Sequence, residues 1–313
     1  MLDILKVVAA LFVIGTHAGF LFEYSEVASQ IVTNGIFRIA VPFFFCVNGF
    51  FLFNVFKNDR IKMWAKRVGI LYLIWMLIYT YFWVYLNDFE LLKVIPTFFF
   101  GFNHLWYLAA LFFGGLILYL LRNASDAVLL VSTFILFLIG IVIQYLGQLH
   151  VFPEQSTLDK LINYPPLHRN FLLFALPLLS IGYVIRRTNF HTKLSKQFVK
   201  RLLIISLTLL VAENLITYYF VTGEAILNTY LSYLFLAPAL LIAAFTFKIT
   251  SNLNSKLLSS YSIAIYLVHP FIIFLIYKTL TLSPTVTTFV TIIVSVIASY
   301  VLIQLNKKLK YII

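Results

Sequence analysis

Apolar runs about twenty residues long, separated by short polar breaks, follow one another along nearly the whole of this chain. A run of that length is what an α-helix needs to cross the hydrocarbon core of a bilayer, with every backbone polar group paired inside the helix. The runs place helices near residues 2–22, 34–56, 64–86, 104–121, 127–149, 167–185, 201–221, 228–248, 258–278 and 284–305. A chain that is 62% hydrophobic and only 11% charged cannot cover a soluble fold with a polar shell. The expectation is an all-α integral membrane protein: a bundle of about ten transmembrane helices, with residues 1–313 forming a single domain. No room is left for a separate soluble catalytic unit, so any chemistry falls to side chains inside the bundle or in short loops.

The first run does not read as a cleaved secretory signal. It has no basic start before Lys6 and no small-residue cleavage pattern before Glu23, and it carries Lys6 and His17 within its apolar stretch. The single Cys46 excludes an internal disulfide. A net charge of +12 invites a nucleic-acid reading, but the distribution of the charge explains it otherwise. Most Lys and Arg fall at alternate helix ends: Lys57 to Arg67, Arg122, Arg186 to Arg201, Lys248 and Lys256, and Lys307 to Lys310. The other ends keep Lys93, Lys160, Arg169 and Lys278, together with Glu23, Glu26, Asp88, Glu90, Glu154 and Glu224. By the positive-inside rule both termini face the cytoplasm, and the basic charge serves topology and anionic lipid rather than nucleic acid. The longest pieces outside the helices are 87–103, whose apolar Ile95 to Phe102 is suited to dipping into the membrane, and 150–166.

Ionisable groups inside spans are expensive and therefore informative. They are Lys6, His17, Arg38, His104, Glu213 and His269, accompanied by Asn48, Gln144 and Asn214. At 1.5 Å rise per residue, His17 lies about 16 Å from Lys6 and on nearly the same face of one helix. Five of these groups, from five helices, fall in the same outer half of the bundle. Each has a plainer reading. A membrane histidine often only hydrogen-bonds a neighbouring helix, a lysine or arginine near an interface snorkels, and Glu213 with Asn214 suits a packing network. His17 is too deep to snorkel.

These residues carry a resemblance to acyltransferase family 3, a family of membrane O-acyltransferases. Asp3-Ile4-Leu5-Lys6 followed by His17 resembles the family's opening helix, a basic residue and then histidine after ten others, with lysine where arginine is usual. Val41-Pro42-Phe43-Phe44-Phe45 through Asn48-Gly49-Phe50 is similar to its second-helix motif, with Asn48 in place of a serine. His104-Leu105-Trp106-Tyr107-Leu108 resembles its Leu-Trp-Tyr-Leu element, and Ser262 through Tyr266-Leu267-Val268-His269-Pro270 its penultimate-helix element. Lys66-Arg67 resembles the basic entry to its third helix, although the proline often found there is missing.

The resemblance implies transfer of an acyl group, commonly acetyl, from cytoplasmic acyl-CoA as co-substrate to a hydroxyl of a cell-surface glycan or lipid-linked precursor. No tightly bound cofactor and no metal are implied. The partners would be membrane lipids, acyl-CoA and the glycan acceptor, and the location a bacterial plasma membrane. Histidine is the side chain suited to take the hydroxyl proton or to carry the acyl group. The catalytic set expected is His17, Arg38 and Glu213: His17 as base or acyl carrier, Arg38 at the thioester oxyanion or the acceptor, and Glu213 as a charged neighbour that tunes His17. Lys6, with Lys66 and Arg67, is assigned to CoA phosphates, lysine lacking the bidentate fork of arginine. Asn48, His104, Trp106, Tyr107 and His269 are expected to line the cavity, Trp106 and Tyr107 as stacking surfaces for a sugar or as part of an aromatic belt. One rival, an exporter or flippase component translocating a polysaccharide, would use the same residues; another is a membrane sensor or anchoring module.

Overall fold

In the computed structural model, residues 1–84, 90–222, 227–247 and 254–313 are described, and every regular element among them is helical. The expected helices 64–86 and 228–248 therefore lose their last residues from view, and Asp88, Glu224 and Lys248 lie outside the described residues. The elements that position the site are α1 (Leu2–Ala18), α2 (Glu26–Lys57), α3 (Ile61–Ile78), α4 (Leu91–Phe100), α5 (Asn103–Leu120) and α6 (Asp126–Gln148). They are followed by α7 (Leu176–Arg187), α8 (Lys196–Val221), α9 (Tyr233–Thr246), α10 (Ser255–Thr279) and α11 (Pro284–Asn306). Each of the ten expected segments overlaps one of these helices, although α3 ends at Ile78 and α7 begins only at Leu176. Six of them, α2, α5, α6, α8, α10 and α11, are long and apolar enough to cross a membrane.

Boundaries depart from expectation where local chemistry decides them. Gly19 ends α1 four residues early, because its left-handed backbone (φ 75°) turns Phe20 N–H back onto the Gly15 carbonyl. Conversely α2 begins at Glu26 rather than near residue 34. Ser25 caps it by accepting from Ala28 N–H, and a π-helical stretch over Gln30–Ile36 followed by a 3₁₀ step over Phe37–Ile39 carries the chain into the regular part. Arg38 sits on that irregular step. Within the segment read as a loop at 87–103, Leu91–Phe100 is helical.

The burial pattern is inverted relative to a soluble protein. On α11, Thr287, Thr291, Ser295 and Ser299 are fully buried, while Phe289, Ile293, Ile297 and Val301 are exposed. Small hydroxylated residues let backbones approach and bulky apolar ones face outward, the arrangement suited to lipid as solvent. Much of α6 and α8 likewise presents Val131, Phe134, Ile135, Ile204, Ile205 and Leu209 outward.

Two helices approach most closely. A Cβ on Gly49 of α2 would stand 1.9 Å from the Leu179 carbonyl oxygen of α7, and one on Gly182 of α7 would stand 1.9 Å from the Cys46 carbonyl oxygen of α2. The two glycines are thus reciprocal, each making room for the other helix's backbone. Elsewhere α1 packs on α10 through Ala10, Ile14 and Ile265, and Ser262 Oγ donates to the Lys6 carbonyl at 2.9 Å.

Because the obstacle at each glycine is backbone, it cannot rotate aside. Gly49→Ala and Gly182→Ala are each expected to cost about 1–3 kcal/mol or more by overpacking. The check is the thermal midpoint in detergent against Gly69→Ala, where an added Cβ meets only the Phe112 ring at 3.4 Å. Equal midpoints for all three variants would refute the close crossing.

Candidate functional site

Most of the polar residues singled out in the sequence fall into two cavities and a column of rings between helices, while Lys66, Gln144, Glu213 and Asn214 lie outside them. The larger cavity, about 320 Å³, is lined mainly by apolar side chains of α2, α3, α5 and α10, with Lys6, Arg67, Asn48, Tyr107 and Tyr266 among them. The smaller, about 150 Å³, is bordered by Thr16, His17, Arg38, Trp106, Arg169 and Asn228. Helices α1, α2 and α5 wall both, whereas α3 and α10 line only the larger, and Arg169, Phe174 and Asn228 only the smaller. Lys6 and His17 lie on α1, and on α2 Phe44 and Asn48 line the larger cavity while Val41 and Pro42 line the smaller. Three residues along a helix are about 4.5 Å, so the cavities are separated by roughly one turn of α2.

In the larger cavity, Lys6 is not a free cation: its ammonium pairs with Asp3 at 3.0 Å and lies 5.3 Å from the centre of the Phe51 ring. Arg67 is exposed at the cavity's edge. Lys66 is exposed and does not line the cavity, because consecutive residues of α3 point about 100° apart. Deeper in, Asn48 Nδ2 donates to the Tyr107 hydroxyl at 2.7 Å and to the Phe44 carbonyl at 2.8 Å. Tyr107, expected as a stacking surface or part of an aromatic belt, is buried in the wall of the larger cavity.

His17 ends α1 with its ring exposed to the smaller cavity, although protein surrounds it. Behind it the His269 ring stands 5.3 Å away, centre to centre, and His104 a further 5.4 Å from His269. His104 also meets the rings of Tyr79 and Tyr266, and Tyr266 donates its hydroxyl to the His104 carbonyl. Both second-line histidines are buried, His269 at 0% and His104 at 2% exposure, so neither borders the two cavities as the sequence led one to expect. His269 Nε2 and both ring nitrogens of His104 have no hydrogen-bond partner among the described residues. Among those residues no cluster of three His, Cys, Asp or Glu is arranged to hold a metal.

Glu213 is placed apart from His17. Its two carboxylate oxygens accept the backbone N–H groups of Leu231 and Ser232 at 2.7 and 2.8 Å, just ahead of α9, a carboxylate on the free donors of a helix start. The neighbouring Asn214 donates to the Tyr230 hydroxyl at 2.9 Å. Glu213 borders neither cavity.

Two residues of the smaller cavity escaped the sequence reading, Arg169 and Asn228. Arg169 was counted only as one of the few cations on the charge-poor side. Its guanidinium donates to Asn228 Oδ1 at 2.8 Å and lies 4.6 Å from the centre of the Trp106 ring; Arg38 donates to the same Oδ1 at 3.1 Å. Gln144 of α6 fixes Asn228 by accepting from the backbone N–H groups of Asn228 and Thr229 at 2.8 and 3.1 Å and donating to the Thr229 carbonyl at 2.9 Å. The sequence offered only that each lies at the start of an apolar run, Arg169 near residue 167 and Asn228 at residue 228.

A family model described as an acyltransferase domain matches residues 1–304. Two proteins of Enterococcus faecalis, each named an amino-acid racemase, are similar. One is 24% identical over 99% of this chain and 46% of its own length, the other 29% identical over 61% of this chain and 29% of its own. The chain thus spans less than half the length of these relatives, and their name describes the longer proteins. No solved structure gives a significant match. With apolar helices fit to cross a bilayer more than once, and an acyltransferase-domain match over nearly every residue, this chain belongs to the acyltransferase 3 family and has the helices of a multi-pass membrane protein.

Proposed function

We propose that the protein moves an acyl group, acetyl first among them, from cytoplasmic acyl-CoA to a hydroxyl of an envelope glycan or its lipid-linked precursor at the plasma membrane. In this reading residues 1–313 act as one domain that crosses the bilayer about ten times, with both termini in the cytoplasm. The observation that carries the reading is the pair of cavities on shared helices. One has basic groups at its edge and an apolar depth, the other exposes a histidine, and about one helical turn separates them.

The donor's thioester arm would enter the larger cavity past Arg67 and Lys6, leaving the nucleotide phosphates outside. An Asp3-paired Lys6 contributes less positive potential than a free one, so Arg67 is the stronger phosphate ligand, and Lys66 is left at the surface. Asn48 and Tyr107 would orient the thioester near the wall of the smaller cavity. There His17 takes the proton of the acceptor hydroxyl as its oxygen attacks the carbonyl carbon. The C–O bond forms, the C–S bond breaks, and the proton passes to the departing thiolate, giving free CoA and the ester. His269 and His104 back the His17 ring and fix its orientation. Glu213, occupied by two backbone donors, is a structural anchor and not a member of the reacting set.

The test uses the full chain purified into nanodiscs, with labelled acetyl-CoA and candidate glycan acceptors. His17→Ala is expected to lower turnover about 10²–10⁴-fold, the usual worth of a general base. Arg67→Ala is expected chiefly to raise the KM for donor. A folded wild type that neither binds nor consumes acyl-CoA would sink the donor assignment. For Glu213→Ala the expectation is a loss of stability of about 1–3 kcal/mol from two unpaired backbone donors, with faster amide exchange at Leu231 and Ser232 and turnover within tenfold of wild type. Turnover lost as in His17→Ala, at unchanged stability, would return Glu213 to the chemistry. Topology is read by replacing Cys46 with serine and placing single cysteines at Lys193 and Glu154. Reagents that do not cross the membrane should label the first only from the cytoplasmic side and the second only from the other, and labelling of both from one side refutes the proposed orientation.

A further inference from the structure

Arg38 and Arg169 reach the same neutral oxygen. Asn228 Oδ1 accepts from both guanidinium groups, at 3.1 and 2.8 Å, so two positive charges converge on one amide at the wall of the smaller cavity. Among the described residues the ion pairs are Lys6–Asp3, Lys93–Glu90, His150–Asp159 and Arg187–Asp126, and none of them offers a carboxylate to Arg38 or Arg169. Arg38 Nε is buried without a hydrogen-bond partner among those residues. Like charges held together away from bulk water repel strongly, and one amide dipole does not offset two cations. The arrangement is nevertheless built with care: Gln144 holds the backbone of Asn228 and Thr229 through three hydrogen bonds, one to Asn228 and two to Thr229, and Trp106 supports the Arg169 guanidinium. A guanidinium pair fixed from behind and open toward a cavity matches the geometry of oxyanion recognition, in which the free N–H groups of each fork face carboxylate or phosphate oxygens.

We infer that the smaller cavity is an oxyanion site, in which Arg38 and Arg169, set by Asn228, hold a carboxylate or phosphate group carried by the acceptor, and thereby place its hydroxyl beside His17. Calling the anion part of the acceptor rests on the acyl-transfer reading above; the anion site itself does not. The acceptor is then an acidic or phosphorylated hydroxyl compound, either soluble or a lipid headgroup, and a neutral sugar without such a group is a poor one. The role of Arg169 and Asn228 is to set specificity.

The test reads binding in the absence of acyl-CoA. Wild-type protein in nanodiscs of zwitterionic lipid is titrated with glycerol 3-phosphate, glycerate and glycerol, and the thermal midpoint is followed. Either anionic probe should raise the midpoint in a saturable way, while glycerol does not. Arg169→Gln should weaken the anion at least tenfold, with Arg169→Lys intermediate. Asn228→Asp guards against misfolding, because its carboxylate satisfies both arginines: it should raise the midpoint of the ligand-free protein and abolish the response to anions. In discs containing phosphatidylglycerol, a stabilisation present in wild type, missing in Arg169→Gln and Asn228→Asp, and no longer increased by the soluble probes assigns the site to a lipid headgroup; a soluble-probe response that persists assigns it to a soluble acceptor. Absence of any anion response in both disc types, or equal responses in wild type and variants, overturns the oxyanion site. A wild type that binds the anion but transfers no acyl group counts against the acyl-transfer reading alone.

Discussion

The backbone contact between α2 and α7 is the constraint on which the rest of the bundle depends. Gly49 and Gly182 allow the two helices to meet carbonyl against Cα, and no side chain intervenes at the crossing. Everything placed on these two helices or on the turns that lead into them is positioned from that point. Arg38 and Asn48 ride on α2, and Arg169 lies in the approach to the π-helical turn before α7. In hydrocarbon there is no hydrophobic force to drive apolar helices together, so close packing of small residues has to supply the association. A crossing held by backbone contact is also stiff. That suits a pocket whose two arginines must converge on one asparagine to within ordinary hydrogen-bond distances.

The polar groups of the interior divide by how they are satisfied. Glu213 and Gln144 have their hydrogen-bonding capacity spent on backbone amides, Asn48 on a tyrosine hydroxyl and a carbonyl. His104, His269 and Arg38 retain buried nitrogens without protein partners among the described residues. The first group behaves as framework: each member ties two segments that would otherwise carry unpaired polar atoms into the membrane. His104, His269 and Arg38 lie about His17, while other buried atoms also lack a partner among the described residues, including Asn214 Oδ1 beside Glu213 and the hydroxyls of Thr287, Thr291, Ser295 and Ser299 on α11. Sorting membrane-embedded polar residues by this criterion separates Glu213 from His17, which their shared status as ionisable residues does not.

Much of this was legible from the chain alone. Helix positions followed from the apolar runs, because a residue facing lipid leaves no doubt about its character. Helix ends were less legible where a single backbone conformation decides them, as Gly19 does for α1, or where a π-helical stretch lengthens the helix, as in α2. His17, Arg38 and Trp106 meet at one cavity, and Lys6, Arg67, Asn48 and Tyr107 at the other. Depth along a helix can be read from residue number, but azimuth relative to other helices cannot. For that reason Glu213 looked like a neighbour of His17, Lys66 like a partner of Arg67, and His104 and His269 like cavity walls. Arg169 was overlooked for the opposite reason: at a helix edge a cation has an ordinary topological explanation, and only the fold brings it to Arg38.

The way Asn228 is secured has a mechanical corollary. Its anchor, Gln144, belongs to α6, a helix whose surface is mostly turned to the surroundings, with only 28% of its most apolar window buried. A helix held so lightly by protein takes its tilt in part from the thickness of the bilayer around it. The lever from that helix to the arginine pair is short, one glutamine and one asparagine. Any change in that helix's tilt with bilayer thickness would therefore reach the arginine pair through those two side chains.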